Sequence, residues 1–367
     1  MVDPRLEKQA EVLVRYSTEV QPGQWVLIQS DLVAVPLARE VSLAVLRAGG
    51  HPTVLYGDGG NTDRYLKTAS DAQLEWVSPL HRQAIEQADV IISLWASENT
   101  RSLTNTDPAK MARAQKAQGH LLETLIRRMA ADEVHWVGTQ FPAQGDAQEA
   151  EMSLSEYEDF VFGAMLLDKD DPVAEWRRVS ERQQRLVEWL RGKKGLTIQS
   201  AHCELTLSIE GRAFENADGH KNMPDGEIFT SPVEDSVNGW VRFTYPAIYG
   251  GRAVEGVELR FEDGKVVEAR AEKNEAFLLS QLDIDAGARY LGEFAIGTNF
   301  GITQFTGNTL FDEKIGGTIH MAVGRGFPET GSKNESAIHW DMVCDMREGG
   351  EIHVDGELFY QDGAFVV

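Results

Sequence analysis

Cysteine is scarce in this sequence: only Cys203 and Cys344 carry a thiol among 367 residues. Two cysteines cannot build a disulfide framework, and no Cys-x-x-Cys pair exists to hold a structural metal. Long apolar runs are also missing. None approaches the roughly 18 residues that a membrane-spanning helix needs. The first residues, Met1-Val2-Asp3-Pro4-Arg5-Leu6-Glu7, lack the apolar core of a secretory signal. A cytoplasmic setting with no membrane partner is the expectation. Positive charge is in short supply, since 35 Lys and Arg against 58 Asp and Glu leave a formal net charge of −23. Such a surface repels phosphate and no local basic patch offsets it, so nucleic acid is not an expected partner.

Several familiar catalytic motifs are absent too. There is no P-loop. Gly57-Asp58-Gly59-Gly60 follows a strand-like run, but its spacing is not the dinucleotide fingerprint and it reads as a turn. Neither a Gly-x-Ser-x-Gly nucleophile elbow nor a His-Glu-x-x-His helix occurs. His120 and Glu123 are three apart on a helical stretch, the spacing of a solvated face. Cys344 follows Met342-Val343, an apolar strand context in which a thiol is inert.

What is present is an ordinary globular composition, 42% hydrophobic and 25% charged. At about 100–200 residues per domain the length suggests two or three domains. In the first half, short apolar runs at Trp25 to Ser30, Pro52 to Tyr56, Val90 to Trp95 and His135 to Thr139 alternate with helical patterns. Such alternation predicts an α/β domain with a parallel sheet. Ser153 and Glu156 form a capping box, and Asp171-Pro172 opens a helix reaching about Arg191. The run Arg191-Gly192-Lys193-Lys194-Gly195 breaks that helix, which sets an expected boundary between residues 1–192 and 193–367. The second half alternates with period two. Asp263-Gly264 centres one hairpin, a second spans Glu351 to Phe359, and one helix is expected from about Ala276 to Leu291. The second half is thus expected to be an α+β domain with a mostly antiparallel sheet or open barrel.

Metal-ligand residue types concentrate in that second half. His339 and Asp341 flank Trp340 in a strand-like run, so the two share one face and Trp340 takes the other. His320 lies within Thr318-Ile319-His320-Met321-Ala322-Val323. Glu227 precedes Ile228-Phe229, and Glu293 precedes Phe294-Ala295-Ile296. Each alone has an ordinary structural reading: a turn cap for Glu227, a solvent-facing edge for Glu293, a core imidazole for His320. Together they are five donors in apolar strands, and buried carboxylates are costly unless paired or metal-bound. Two Glu, two His and one Asp suffice for two divalent ions sharing a carboxylate. His320, His339 and Asp341 alone would instead suit one non-haem Fe(II), the set of a ring-cleaving dioxygenase.

At these residues the sequence resembles the M29 family of metallo-aminopeptidases. The likeness runs through Asn222 to Pro232, Gly292 to Asn299, Asp312 to Gly324 and Lys333 to Met342. It also takes in Trp136-Val137-Gly138-Thr139-Gln140-Phe141-Pro142 and the helices near Glu156 to Asp168. The resemblance implies two divalent ions (zinc, cobalt or manganese) on Glu227, Glu293, His320, His339 and Asp341. It implies an aminopeptidase and a homodimer. Two such ions would share a water that attacks the first peptide bond of a short peptide, with Glu293 the candidate to carry its proton to the leaving amine. The resemblance also implies a tyrosine seven residues after His320, where this sequence has Phe327. A phenyl ring cannot donate to a tetrahedral oxyanion, so weak or lost peptidase activity is a further alternative.

Overall fold

The computed structural model describes residues 3–367; Met1 and Val2 of the amino-terminal segment lie outside the described residues. The chain divides into two compact units, Met1–Arg177 with Gly219–Pro224, and Arg178–Asp218 with Asp225–Val367. The division falls inside the helix Pro172–Leu190, ahead of the expected break at Gly192.

The first unit is built on a five-stranded sheet. Its order is His51–Gly57, Trp25–Asp31, Val90–Trp95, His135–Gln140, Asn222–Met223, and every pairing is parallel. Val26, Leu27, Ile28, Val90, Ile91 and Ile92 are wholly buried, as expected of strands covered on both faces. The two-residue strand Asn222–Met223 is too short to leave a periodic signal. The capping box forms as expected: Ser153 N and Oγ both donate to Glu156 Oε2, at 2.9 and 2.6 Å.

The second unit holds an eight-stranded and a five-stranded sheet, both antiparallel and neither closed on itself. Both hairpins form, with Asp263 and Asp355 at positive φ in their turns. The expected helix runs only Glu275–Leu282, shorter than its apolar pattern suggests. Asp285 ends it: its Oδ1 accepts from the backbone N–H groups of Gly287 and Ala288, a turn that competes with helical bonding.

The five-stranded sheet has the order His339–Asp345, Thr318–Gly324, Leu291–Gly297, Glu227–Thr230, Glu215–Ala217. Alternate residues of four of its strands enter the core: Ile228, Phe294, Ile296, Ile319, Met321, Val323, Trp340, Met342 and Cys344. Their neighbours therefore emerge together on the opposite face. A bulge between Leu291 and Glu293 sets which residues those are. Gly292 permits it, because a Cβ there would sit 2.1 Å from the Arg325 carbonyl oxygen. Gly292→Ala should destabilise the protein by about 1–3 kcal/mol through this overpacking. Urea denaturation checks it; an unchanged midpoint would mean the strand shifts freely.

Candidate metal centre

Glu227, Glu293, His320, His339 and Asp341 all occupy that opposite face. Strand register sets the arrangement. Glu293 and Asp341 both stand opposite Ala322, on either side of it. His320 is opposite Ala295, His339 opposite Gly324 and Glu227 opposite Gly297. Every one of the five thus has an alanine or glycine directly across from it, which leaves room for the larger groups to converge. Ligand atoms of Glu293, His339 and Asp341 lie within 4.8 Å of one another, and so do those of Glu313, His320 and Asp341. Asp341 belongs to both trios.

The two imidazoles are fixed by main-chain carbonyls. His320 Nδ1 is 2.9 Å from the Glu313 oxygen and His339 Nδ1 is 2.7 Å from the Arg325 oxygen. A carbonyl only accepts, so Nδ1–H donates and Nε2 turns to the carboxylates. His339 Nε2 lies 3.2 Å from both Glu293 Oε2 and Asp341 Oδ1, and His320 Nε2 lies 3.7 Å from Glu293 Oε1. Asp341 Oδ1 and Glu227 Oε2 are buried and make no hydrogen bond. Lone pairs of nitrogen and oxygen thus converge on the same small volumes, an arrangement that requires positive charge between them.

The electrostatics agree. Burial works against charge on the histidines, yet Asp341 and Glu293 push His339 up to about 12, and Glu227, Glu293 and Glu313 push His320 up to about 10. Burial alone would raise Asp341, but His339, His320 and Lys314 pull it down to about 2. The same opposition holds Glu293 below its ordinary value. Glu227 goes well above the ordinary range because burial outweighs Lys314 and His320. Beside the Lys314 ammonium, protons on the imidazoles offset the carboxylates. Borderline divalent ions prefer this mix of imidazole and carboxylate donors, so the residues present fit a metal centre.

Two groups escaped sequence reasoning. Glu313 and Lys314 follow the short helix Thr309–Asp312 in irregular chain, and the charged run Asp312-Glu313-Lys314 looks like surface. Lys314 is in fact completely buried and pairs with both Glu313 and Glu227. Phe327 lies beside the centre, with its ring centroid 5.2 Å from that of His339 and 5.1 Å from that of Phe229. Tyr249 packs on Trp340, on the core face of the strand, away from the donors. His120, by contrast, is exposed on the long helix Pro108–Ala130 in the first unit.

Two histidines and three carboxylates in overlapping trios, with Glu227 beside them, have the donor chemistry of a metallohydrolase. A family profile described as thermophilic metalloprotease (M29) matches residues 2–365, and the chain belongs to that family. It is 29% identical to aminopeptidase 2 of Geobacillus stearothermophilus over 96% of this chain and 94% of that protein. It is also 29% identical to aminopeptidase T of Thermus thermophilus, over 98% and 95% of the two chains. The solved structure of wild-type AmpT from Thermus thermophilus superimposes with a TM-score of 0.87 at 27% identity, covering 99% of each chain. Among the described residues, no helix is long and apolar enough to cross a membrane.

Metal must displace protons from this site, so its affinity should rise with pH and binding should release about one proton per histidine engaged. Calorimetric titration in buffers of different ionisation enthalpy measures the release; none at neutral pH would remove the histidines from the ligand set. His339→Ala and Asp341→Ala should each abolish tight metal binding. Full metal occupancy in both variants would sink the assignment.

Proposed function

We propose that this protein is a two-metal aminopeptidase that removes the first residue from short peptides. The observation that carries the reading is Asp341, which belongs to two donor trios at once. Full-length likeness to proteins named aminopeptidases supports it. In this reading the second unit is the catalytic one and the enzyme is a homodimer. Glu293, His339 and Asp341 hold one divalent ion, and Glu227, His320 and Asp341 hold the other, with Glu313 beside it. Zinc, cobalt and manganese all suit these donors. When bound, such ions supply Lewis acidity toward the substrate carbonyl and a nucleophile drawn from water at neutral pH.

The chain's own residues do the rest. The Glu313 and Arg325 carbonyls keep His320 and His339 in the tautomer that presents Nε2. Glu293 stands between the two imidazoles and is almost wholly buried. From there it takes the proton released by the attacking water and returns it to the leaving amine. Phe327 shields His339 from one side and donates nothing to the developing oxyanion.

The dioxygenase alternative finds no support. The relatives are named aminopeptidases, and Glu227, Glu293 and Glu313 exceed what a two-histidine, one-carboxylate iron site needs. Elemental analysis of the purified protein, paired with a leucine-anilide and dipeptide assay after adding Zn²⁺, Co²⁺ or Mn²⁺, tests the proposal. Two ions per chain with metal-dependent turnover is the expected result; a single iron per chain would overturn it. Phe327→Tyr should raise kcat with little change in KM. One restored oxyanion donor is worth about 10²–10³ in rate at most. An unchanged kcat would show that Phe327 does not limit the reaction.

A further inference from the structure

Lys314 is the one lysine or arginine paired with the carboxylates of the metal centre among the described residues, and its side chain is wholly buried. A buried ammonium is expensive and persists only where acids surround it. Its Nζ lies 3.9 Å from Glu227 Oε1 and makes a close ion pair with Glu313 Oε1. Asp225, two residues before Glu227, adds a third negative charge to its surroundings. The backbone around it is held on both sides. Its N–H donates to the Phe311 carbonyl at 3.0 Å, and its own carbonyl accepts from Asn299 N–H at 3.1 Å. The ammonium therefore has a fixed address.

The two oxygens of Glu227 have different fates. Oε1 faces Lys314, whereas Oε2 makes no hydrogen bond and lies 3.6 Å from His320 Nδ1. Gln183 fixes the same residue from behind, its Nε2 donating to the Glu227 carbonyl at 2.9 Å. Glu313 is likewise held at one oxygen by Lys314 and still offers a ligand atom to the trio with His320 and Asp341.

We propose that Lys314 is a positioning residue of the metal centre, pinning Glu227 and Glu313 by one oxygen each so that their remaining oxygens are presented to an incoming divalent ion. The inference rests on the two-metal reading above. It makes a prediction opposite in sign to simple electrostatics. A cation this near a metal ion repels it, so charge alone would have Lys314→Met bind metal more tightly. Pinning requires the reverse, because freed carboxylates must be ordered again on each binding event.

The test is Co²⁺ titration of the metal-free full-length protein. It reads visible d–d absorption for coordination and chelator competition for affinity. The wild type should take up two Co²⁺. Lys314→Met should bind one of them at least tenfold more weakly with an altered d–d spectrum, and the other within threefold of wild type. In the Glu227→Gln/Glu313→Gln background the ammonium has lost both carboxylates it pins. Adding Lys314→Met there should leave the affinity of the weakened Co²⁺, the one bound beside His320, unchanged within threefold, because the effects of coupled residues do not add. That comparison also decides the matter if Lys314→Met alone fails to fold. Tighter or unchanged binding by Lys314→Met, or a further tenfold loss in the doubly substituted background, would overturn the role of Lys314 while leaving the centre standing. A wild type that binds no Co²⁺ would overturn both.

Discussion

Like charges held close in a poorly hydrated space dominate this structure. Glu227 and Glu293 are buried, Asp341 lies within ligand distance of both histidines, and Glu313 lies within ligand distance of His320. Two unit charges 4 Å apart interact by about 4 kcal/mol at an effective dielectric of 20, so an unneutralised group of this kind would push its own strands apart. Lys314 answers one charge permanently. The imidazoles answer others by holding protons, since the surrounding carboxylates raise their pKa values. Metal ions placed there would therefore add to the stability of the fold itself, since whatever binds only the native state stabilises it by mass action.

The rest of the sheet is arranged to withstand that repulsion. The donors occur at alternate positions, and the residues between them, Phe294, Met321, Trp340 and Met342 among others, are packed into one continuous core. Pulling a donor outward would drag its strand neighbours out of that core, at about 1.5–3 kcal/mol for each large side chain exposed. The small residues opposite each donor complete the design. Ala295, Ala322, Gly297 and Gly324 give up packing on the site face so that long polar side chains can lean toward one another. Rigidity comes from one face of the sheet and chemistry from the other.

This division explains what the amino-acid sequence discloses. The parallel strands of the first unit read clearly because burial on both faces leaves unbroken apolar runs such as Val90-Ile91-Ile92. Five site residues read clearly because an acid or histidine inside an alternating apolar strand has few other reasons to be there. Glu313 and Lys314 did not, since irregular chain has no period and burial there depends on contacts far along the sequence. The end of the helix at Leu282 was hidden for a related reason. Its apolar pattern continues, and only the side-chain bonds of Asp285 stop it. The strand Asn222–Met223 joins a sheet whose other members lie in the first half of the chain, a long-range pairing that no local pattern encodes.

On the proposed reading, binding metal and stabilising a transition state are separate tasks, assigned to separate stretches of chain. The donors stand on four strands of one sheet and depend on its register. Phe327 belongs to a different element, a loop leading into the single turn Pro328–Thr330. That turn is tied to the sheet through Ser231, whose Oγ accepts from Phe327 N–H at 3.3 Å and lies 2.8 Å from Thr330 Oγ1. Replacing Phe327 by another aromatic residue would, on that reading, change what faces the substrate carbonyl while keeping the ring contacts with His339 and Phe229. Only interactions stronger in the transition state than in the ground state raise the rate. A centre with all its donors is thus, on the same reading, compatible with a wide range of catalytic rates, and position 327 is where that range would be set.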